Sequence, residues 1–163
     1  MNDLAKTEEL SLTVTRHVAA SPEKVYNAWL DPETLVRFMG NCKGFSLASA
    51  ETDPRVGGRF TLMMRTSGTK VLPHTGTYLA LVPHSRLAFT WESEFSRVEN
   101  STVTIELRPE AGGTAITLTH VRFVDEASRA GHLDGWTVIL EGLVATDLQG
   151  ALQHRGEGAR AFP

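Results

Sequence analysis

The sequence predicts an α+β domain in which a curved, antiparallel, seven-stranded sheet wraps around one long C-terminal helix, with two short helices between strands 1 and 2. Three observations carry this. Residues 125–152 are the only segment long and periodic enough for a principal helix. Residues 10–20 and 44–123 alternate apolar and polar side chains in short runs broken by turn residues. Between those two blocks stand two helix-start signals, Ser21-Pro22-Glu23 and Asp31-Pro32-Glu33.

The first strand sets Leu10, Leu12, Val14, Arg16 and Val18 against Ser11, Thr13, Thr15 and His17, the two-residue period of a half-buried strand, with Arg16 in the apolar register. Ser21 is an N-cap, Pro22 fits the first helical position, and Val25, Ala28 and Trp29 form the inner face of the helix that follows. The second helix turns Leu35 and Phe38 inward and stops at Met39-Gly40. Strands are then expected over 45–51, 59–66 (Phe60, Leu62 and Met64 together), 75–82, 87–91, 102–108 and 114–123. Residues 53–58 and 111–113 are turns, and 67–73 a loop. In the 75–82 strand, parity puts Thr77, Leu79 and Leu81 on one side and Tyr78 on the other.

Asp125 is an N-cap for the long helix, which at 1.5 Å per residue would reach about 42 Å if unbroken to Leu152. Its stripe is Leu133, Trp136, Leu140, Leu143, Val144, Asp147 and Ala151, with Ile139 and Leu148 at the margins. Gly131, Gly135 and Gly142 each cost about 1 kcal/mol relative to alanine, which suggests close packing or a break near Gly131. The chain of 163 residues is read as one domain over 1–153 and a loose tail over 154–163.

Composition narrows the function. With 16 basic and 19 acidic residues and no basic cluster, nucleic acid is excluded as a partner. The first ten residues lack the pattern of a signal peptide, and the apolar run 78–82 is far short of a membrane span, so a cytoplasmic location without a membrane partner is expected. A lone Cys42 excludes an internal disulfide; as a nucleophile it would need a base such as His120 beside it. The histidines show no paired ligand spacing, so no metal and no cofactor is assigned. Gly57-Gly58 precedes a strand, unlike a phosphate loop, and no Gly-x-Ser-x-Gly elbow occurs.

A bent sheet gripping one helix leaves a concavity beneath the short-helix corner, with apolar walls suited to a small, largely apolar molecule. Parity and helix face select Phe38, Met39, Met64, Leu79, Trp91, His120, Trp136 and Leu140 as its lining. His120 shares the covered face with Ile116 and Leu118 and is read first as a hydrogen-bonded core histidine, second as a group that anchors or protonates a ligand carbonyl. Asp147, within the apolar stripe, needs a partner, for which Arg16 is the candidate, or a perturbed pKa that would make it a ligand-contacting acid. His120 and Asp147 are therefore the candidates for lyase- or cyclase-type proton transfer.

The segments Ser21-Pro22-Glu23-Lys24-Val25, Asp31-Pro32-Glu33-Thr34-Leu35, Val56-Gly57-Gly58-Arg59-Phe60, Gly76-Thr77-Tyr78-Leu79, Arg86-Leu87-Ala88-Phe89-Thr90-Trp91, Leu118-Thr119-His120 with Phe123, and His132 followed by Gly135-Trp136 occur in order from Leu10 to Leu152. In this wording and order of elements the chain resembles the START/Bet v 1/polyketide-cyclase (SRPBCC) superfamily, in its bacterial branch similar to the C-terminal domain of the activator of Hsp90 ATPase. The resemblance implies a helix-grip fold. It implies no single activity, since that scaffold hosts carriers, cyclases, hydrolases and co-chaperones. Where the family usually has a tryptophan followed by a proline at the short-helix corner, this chain has Phe38, Met39 and Asn41, so a differently shaped pocket mouth is expected. The alternative the resemblance implies is a protein-interaction module, an activator-like partner of an Hsp90-type ATPase, against which the lack of room for a further N-terminal domain counts. A homodimer through a strand edge or the helical corner is a further expectation.

Overall fold

Alternation of Leu12, Val14 and Val18 with Thr13, Thr15 and His17 builds the first strand, β1 (Ser11–Val18), in the computed structural model of the chain. The structure describes residues 10–40, 45–66, 70–94, 98 and 100–148. The Ser21 side chain accepts the Lys24 N–H at 3.3 Å and Pro22 fills a position whose N–H would have no partner, so α1 (Pro22–Ala28) starts there. Asp31 repeats the device for α2 (Pro32–Gly40), its Oδ2 accepting from Thr34 N–H at 2.9 Å and from the Thr34 hydroxyl at 2.6 Å. Six strands follow: β2 (Phe45–Thr52), β3 (Arg59–Thr66), β4 (Val71–Val82), β5 (Arg86–Thr90), β6 (Thr102–Glu110) and β7 (Gly113–Val121). Helix α3 (Glu126–Ala145) ends the order, capped by Asp125 Oδ1, which accepts the Ser128 N–H at 2.8 Å.

The seven strands form one antiparallel sheet in the order β1-β7-β6-β5-β4-β3-β2. Strands β2 to β7 meander, and β1 closes onto β7 with Ser11 opposite Val121 and Val18 opposite Thr114. The inner face of the sheet packs on Trp136, Ile139, Leu140 and Leu143 of α3, giving the helix-grip arrangement expected. Opposite Phe60 lies Gly76, where a Cβ would overlap both the Phe60 ring and the Thr90 carbonyl, so glycine lets that aromatic ring lie flat across β4.

Four local expectations change. Strand β4 begins at Val71, because Leu72, His74 and Gly76 continue its buried alternation, and Pro73 is tolerated where β4 extends past its pairing with β5 and is bonded to β3 alone. A register shift between Tyr78 and Ala80 makes Leu79 the extra residue of a bulge; Tyr78 points in before it, Leu81 packs on the core after it, and Leu79 stands 48% exposed. Helix α3 has 20 residues and stops at Ala145, since Thr146 is extended (φ −89°, ψ 137°) and its hydroxyl donates to the Gly142 carbonyl at 2.7 Å. Asp147 therefore leaves the helical stripe and is exposed, and Arg16 reaches Glu141 at 3.4 Å instead.

The helix runs unbroken through Gly131 and Gly135, and a Cβ at either would meet no atom within 4 Å, so neither close packing nor a break accounts for them. Cys42, Asn41, the expected helical residues 149–152 and the tail 154–163 lie outside the described residues. Among the described residues no helix is long and apolar enough to cross a membrane.

Candidate functional site

Where the short-helix corner meets the sheet and α3, the packing leaves a cavity of about 20 Å³. Trp29 at the end of α1 and Leu35 and Met39 of α2 form its roof. The sheet supplies Phe60, Leu62, Tyr78, Phe89 and Trp91, and α3 supplies Trp136. These side chains are held by one another: Phe60 contacts Phe89 with ring centres 5.3 Å apart, and Trp91 contacts Trp136 at 4.8 Å. The volume is room for about one water molecule, against roughly 300–1,000 Å³ for a pocket holding a drug-sized ligand. The hollow is thus narrower than the sequence suggested, and a larger occupant must move a side chain of the wall. Met39, unbranched and flexible, is the wall residue best able to yield.

Of the eight lining residues expected, Met39, Trp91 and Trp136 form the wall. Phe38 is buried behind it, edge-on to Trp29 at 5.1 Å. Met64 and Leu140 are buried one step further along β3 and α3, past the level of the cavity, and Leu79 is turned outward by the bulge. Of the wall residues not selected, Phe60 and Leu62 share the parity of Met64 and Phe89 that of Trp91, a signal present in sequence, whereas the pairing of Tyr78 with Phe89 across β4 and β5 is seen only in the structure.

His120 lies on the covered face as parity indicated, fully buried behind Trp136. The Trp136 indole N–H donates to His120 Nδ1 at 3.0 Å, and His120 Nε2 meets Ser101 Oγ at 2.6 Å. An indole nitrogen only donates, so Nδ1 carries the lone pair and Nε2 carries the proton that Ser101 accepts. The ring has no free lone pair with which to activate Ser101 or receive a proton from a ligand. Burial pushes its pKa down to about 3, with the nearby His132 acting in the same direction, so the imidazole is neutral. Ser101 precedes β6 in a connecting segment, and nothing in its local sequence announced it as the partner. His132 in turn donates from Nδ1 to the Ser128 carbonyl at 2.8 Å, and burial lowers its pKa too. The network orients Trp136, a positioning role for His120.

On the outer face of the sheet, the Glu92 carboxylate accepts from Arg59 at 3.0 Å, Thr75 Oγ1 at 3.0 Å and Thr90 Oγ1 at 2.9 Å. The Arg59 hydrogen bond holds its carboxyl below the usual range, and its bonds make this cluster a clasp between strands. Among the described residues no three His, Cys, Asp or Glu side chains converge as metal ligands.

A protein from Chromobacterium violaceum, solved by X-ray crystallography, has 26% identity and a TM-score of 0.70, covering 83% of this chain and 94% of its own. The solution structure of an AHSA1-like protein from Aeromonas hydrophila has 26% identity and a TM-score of 0.68, covering 82% of this chain and 89% of its own. A Staphylococcus aureus protein at 19% identity, with a TM-score of 0.69 over 88% of this chain and 95% of its own, shares the fold. A search of curated proteins finds no match. The model of the family described as Activator of Hsp90 ATPase homolog 1-like protein matches residues 19–146, from the end of β1 through α3, and the chain belongs to that family.

Proposed function

We propose that this protein is a cytoplasmic binding module for a small, largely apolar molecule held between α3 and the sheet, under the α1–α2 corner. The observation that carries this reading is the position of the cavity: it lies where three elements meet, and three tryptophans and Met39 are among the residues that line it. Its apolar walls favour an apolar guest through removal of surface from water, and Met39 offers the adjustment that entry needs. Proton transfer is not part of the proposal, because both ring nitrogens of His120 are engaged and Asp147 lies on the surface beyond α3.

Titration with a panel of small aromatic and aliphatic compounds, followed by tryptophan fluorescence and native mass spectrometry, tests the reading. One-to-one binding that Met39→Trp weakens at least about tenfold without unfolding the protein supports it. Absence of binding across the panel, or binding indifferent to Met39→Trp, refutes it. The family description supports a second reading, a module that stimulates an Hsp90-type ATPase. Phosphate release by such an ATPase, measured with and without the protein, rises if that reading holds and stays level if it fails.

A further inference from the structure

The chain has three tryptophans, and all three line the cavity. Their polar atoms fare differently. The Trp136 indole N–H is donated to His120, whereas the indole N–H groups of Trp29 and Trp91 are buried and have no hydrogen-bond partner among the described residues. Buried donors nearly always find an acceptor, so two orphans in the wall of one cavity call for a reason. Both residues are 4% exposed, which leaves bulk water unable to serve them.

A trapped water is a poor solution. It needs two to four polar partners, including acceptors for its own protons. The wall supplies indole donors and carbon; its one hydroxyl, on Tyr78, lies near enough to Asp53 for that carboxylate to raise its pKa further, on top of burial. Nor does the wall contain a lysine, arginine or histidine to balance a charged guest. A wall without charge, whose unsatisfied polar groups are both indole donors, is complementary to a guest that accepts and is itself uncharged.

We infer that the ligand is a neutral, aprotic carbonyl compound, of the ketone, ester or quinone class, whose oxygen takes up the indole N–H of Trp29, Trp91 or both while its hydrocarbon part fills the apolar remainder. This rests on the pocket proposed above and adds the polar half of its specificity.

The test uses the full chain, labelled with ¹⁵N at the indoles, and a pair of probes of nearly equal shape: acetophenone, with a C=O, and α-methylstyrene, with C=CH₂ in its place. Three indole N–H signals are present and are assigned through Trp29→Phe and Trp91→Phe. Acetophenone should bind about tenfold more tightly than α-methylstyrene, the worth of one net hydrogen bond. It should move the Trp29 or Trp91 signal downfield and leave the Trp136 signal in place, and the preference should fall in the corresponding phenylalanine variant. Equal binding of the two probes with unmoved indole signals overturns the inference and leaves the apolar pocket standing. A preference that survives in both variants overturns it as well. Failure of both probes to bind up to their solubility removes the pocket reading and the inference together. The wild-type spectra decide the matter even if one variant does not fold.

Discussion

Replacing His120 with leucine tests the buried network directly. At pH 7 the substitution leaves the Trp136 N–H without its acceptor at 3.0 Å and takes from Ser101 its bond at 2.6 Å. An orphaned buried donor costs about 1–3 kcal/mol and a lost hydrogen bond about 1, so a net loss of about 3 kcal/mol is expected. The pH dependence carries a second signature. Because burial holds the native pKa at about 3 while the unfolded chain titrates near 6.5, the unfolded state binds more protons across that window. Wild-type stability should therefore fall with acidification from pH 6.5 towards pH 3 by about 1.4 kcal/mol per unit, on this residue's account. By pH 4 that amounts to about 3 kcal/mol, a loss the leucine variant does not share. Urea unfolding at pH 7, 6, 5 and 4 should show two curves that start about 3 kcal/mol apart and meet near pH 4. The titration of His74 occurs in both proteins and cancels in the difference, and repeating both measurements in a His132→Gln background removes the coupling of that ring to His120. A constant gap at every pH, or a variant as stable as wild type at pH 7, would refute the proton-and-lone-pair assignment made for this ring.

Three further outcomes follow from the packing. Gly131→Ala and Gly135→Ala should each raise stability by about 0.5–1 kcal/mol in thermal or urea unfolding, since helix propensity improves and the added methyl meets nothing within 4 Å. Gly76→Ala should destabilise by about 3 kcal/mol, because the new Cβ overlaps the Thr90 carbonyl and the Phe60 ring; a loss below 1 kcal/mol would show that the sheet relaxes freely there. Glu92→Gln should cost about 0.5 kcal/mol at pH 7, a small figure because the side chain is 47% exposed. The depressed carboxyl pKa stabilises the fold above pH 4.5, so this variant should also lose less stability than wild type as the pH drops below that value.

The sheet, its seven strands and the three helices were legible because alternation, caps and turn residues all act over a few neighbours. Most of what escaped was decided by contacts distant in sequence. The bulge at Leu79 reverses the side to which the next residues point, and only the pairing of β4 with β5 reveals it. Thr146 ends α3 by turning its hydroxyl back on Gly142, a local event that the apolar residues beyond it concealed. For the site, strand parity brought Trp91 and His120, and the helical stripe Trp136, to the covered side, where all three are buried. Neither pattern could tell which of them faces the cavity and which stands behind another ring, because that depends on depth along α3 and on a serine from a different connection.

The pairing of β1 with β7 has a kinetic meaning. Of the seven strands, the first to be made must wait for the last before its hydrogen-bonding partner exists, since Ser11 meets Val121. A sheet finished by such distant ends folds slowly, and until that moment the apolar side of β1 and the open edge awaiting it are both available to other chains. The nascent protein is therefore most prone to aggregate just before its last strand emerges, and conditions that hold the early strand apart until then should raise the yield of folded molecules.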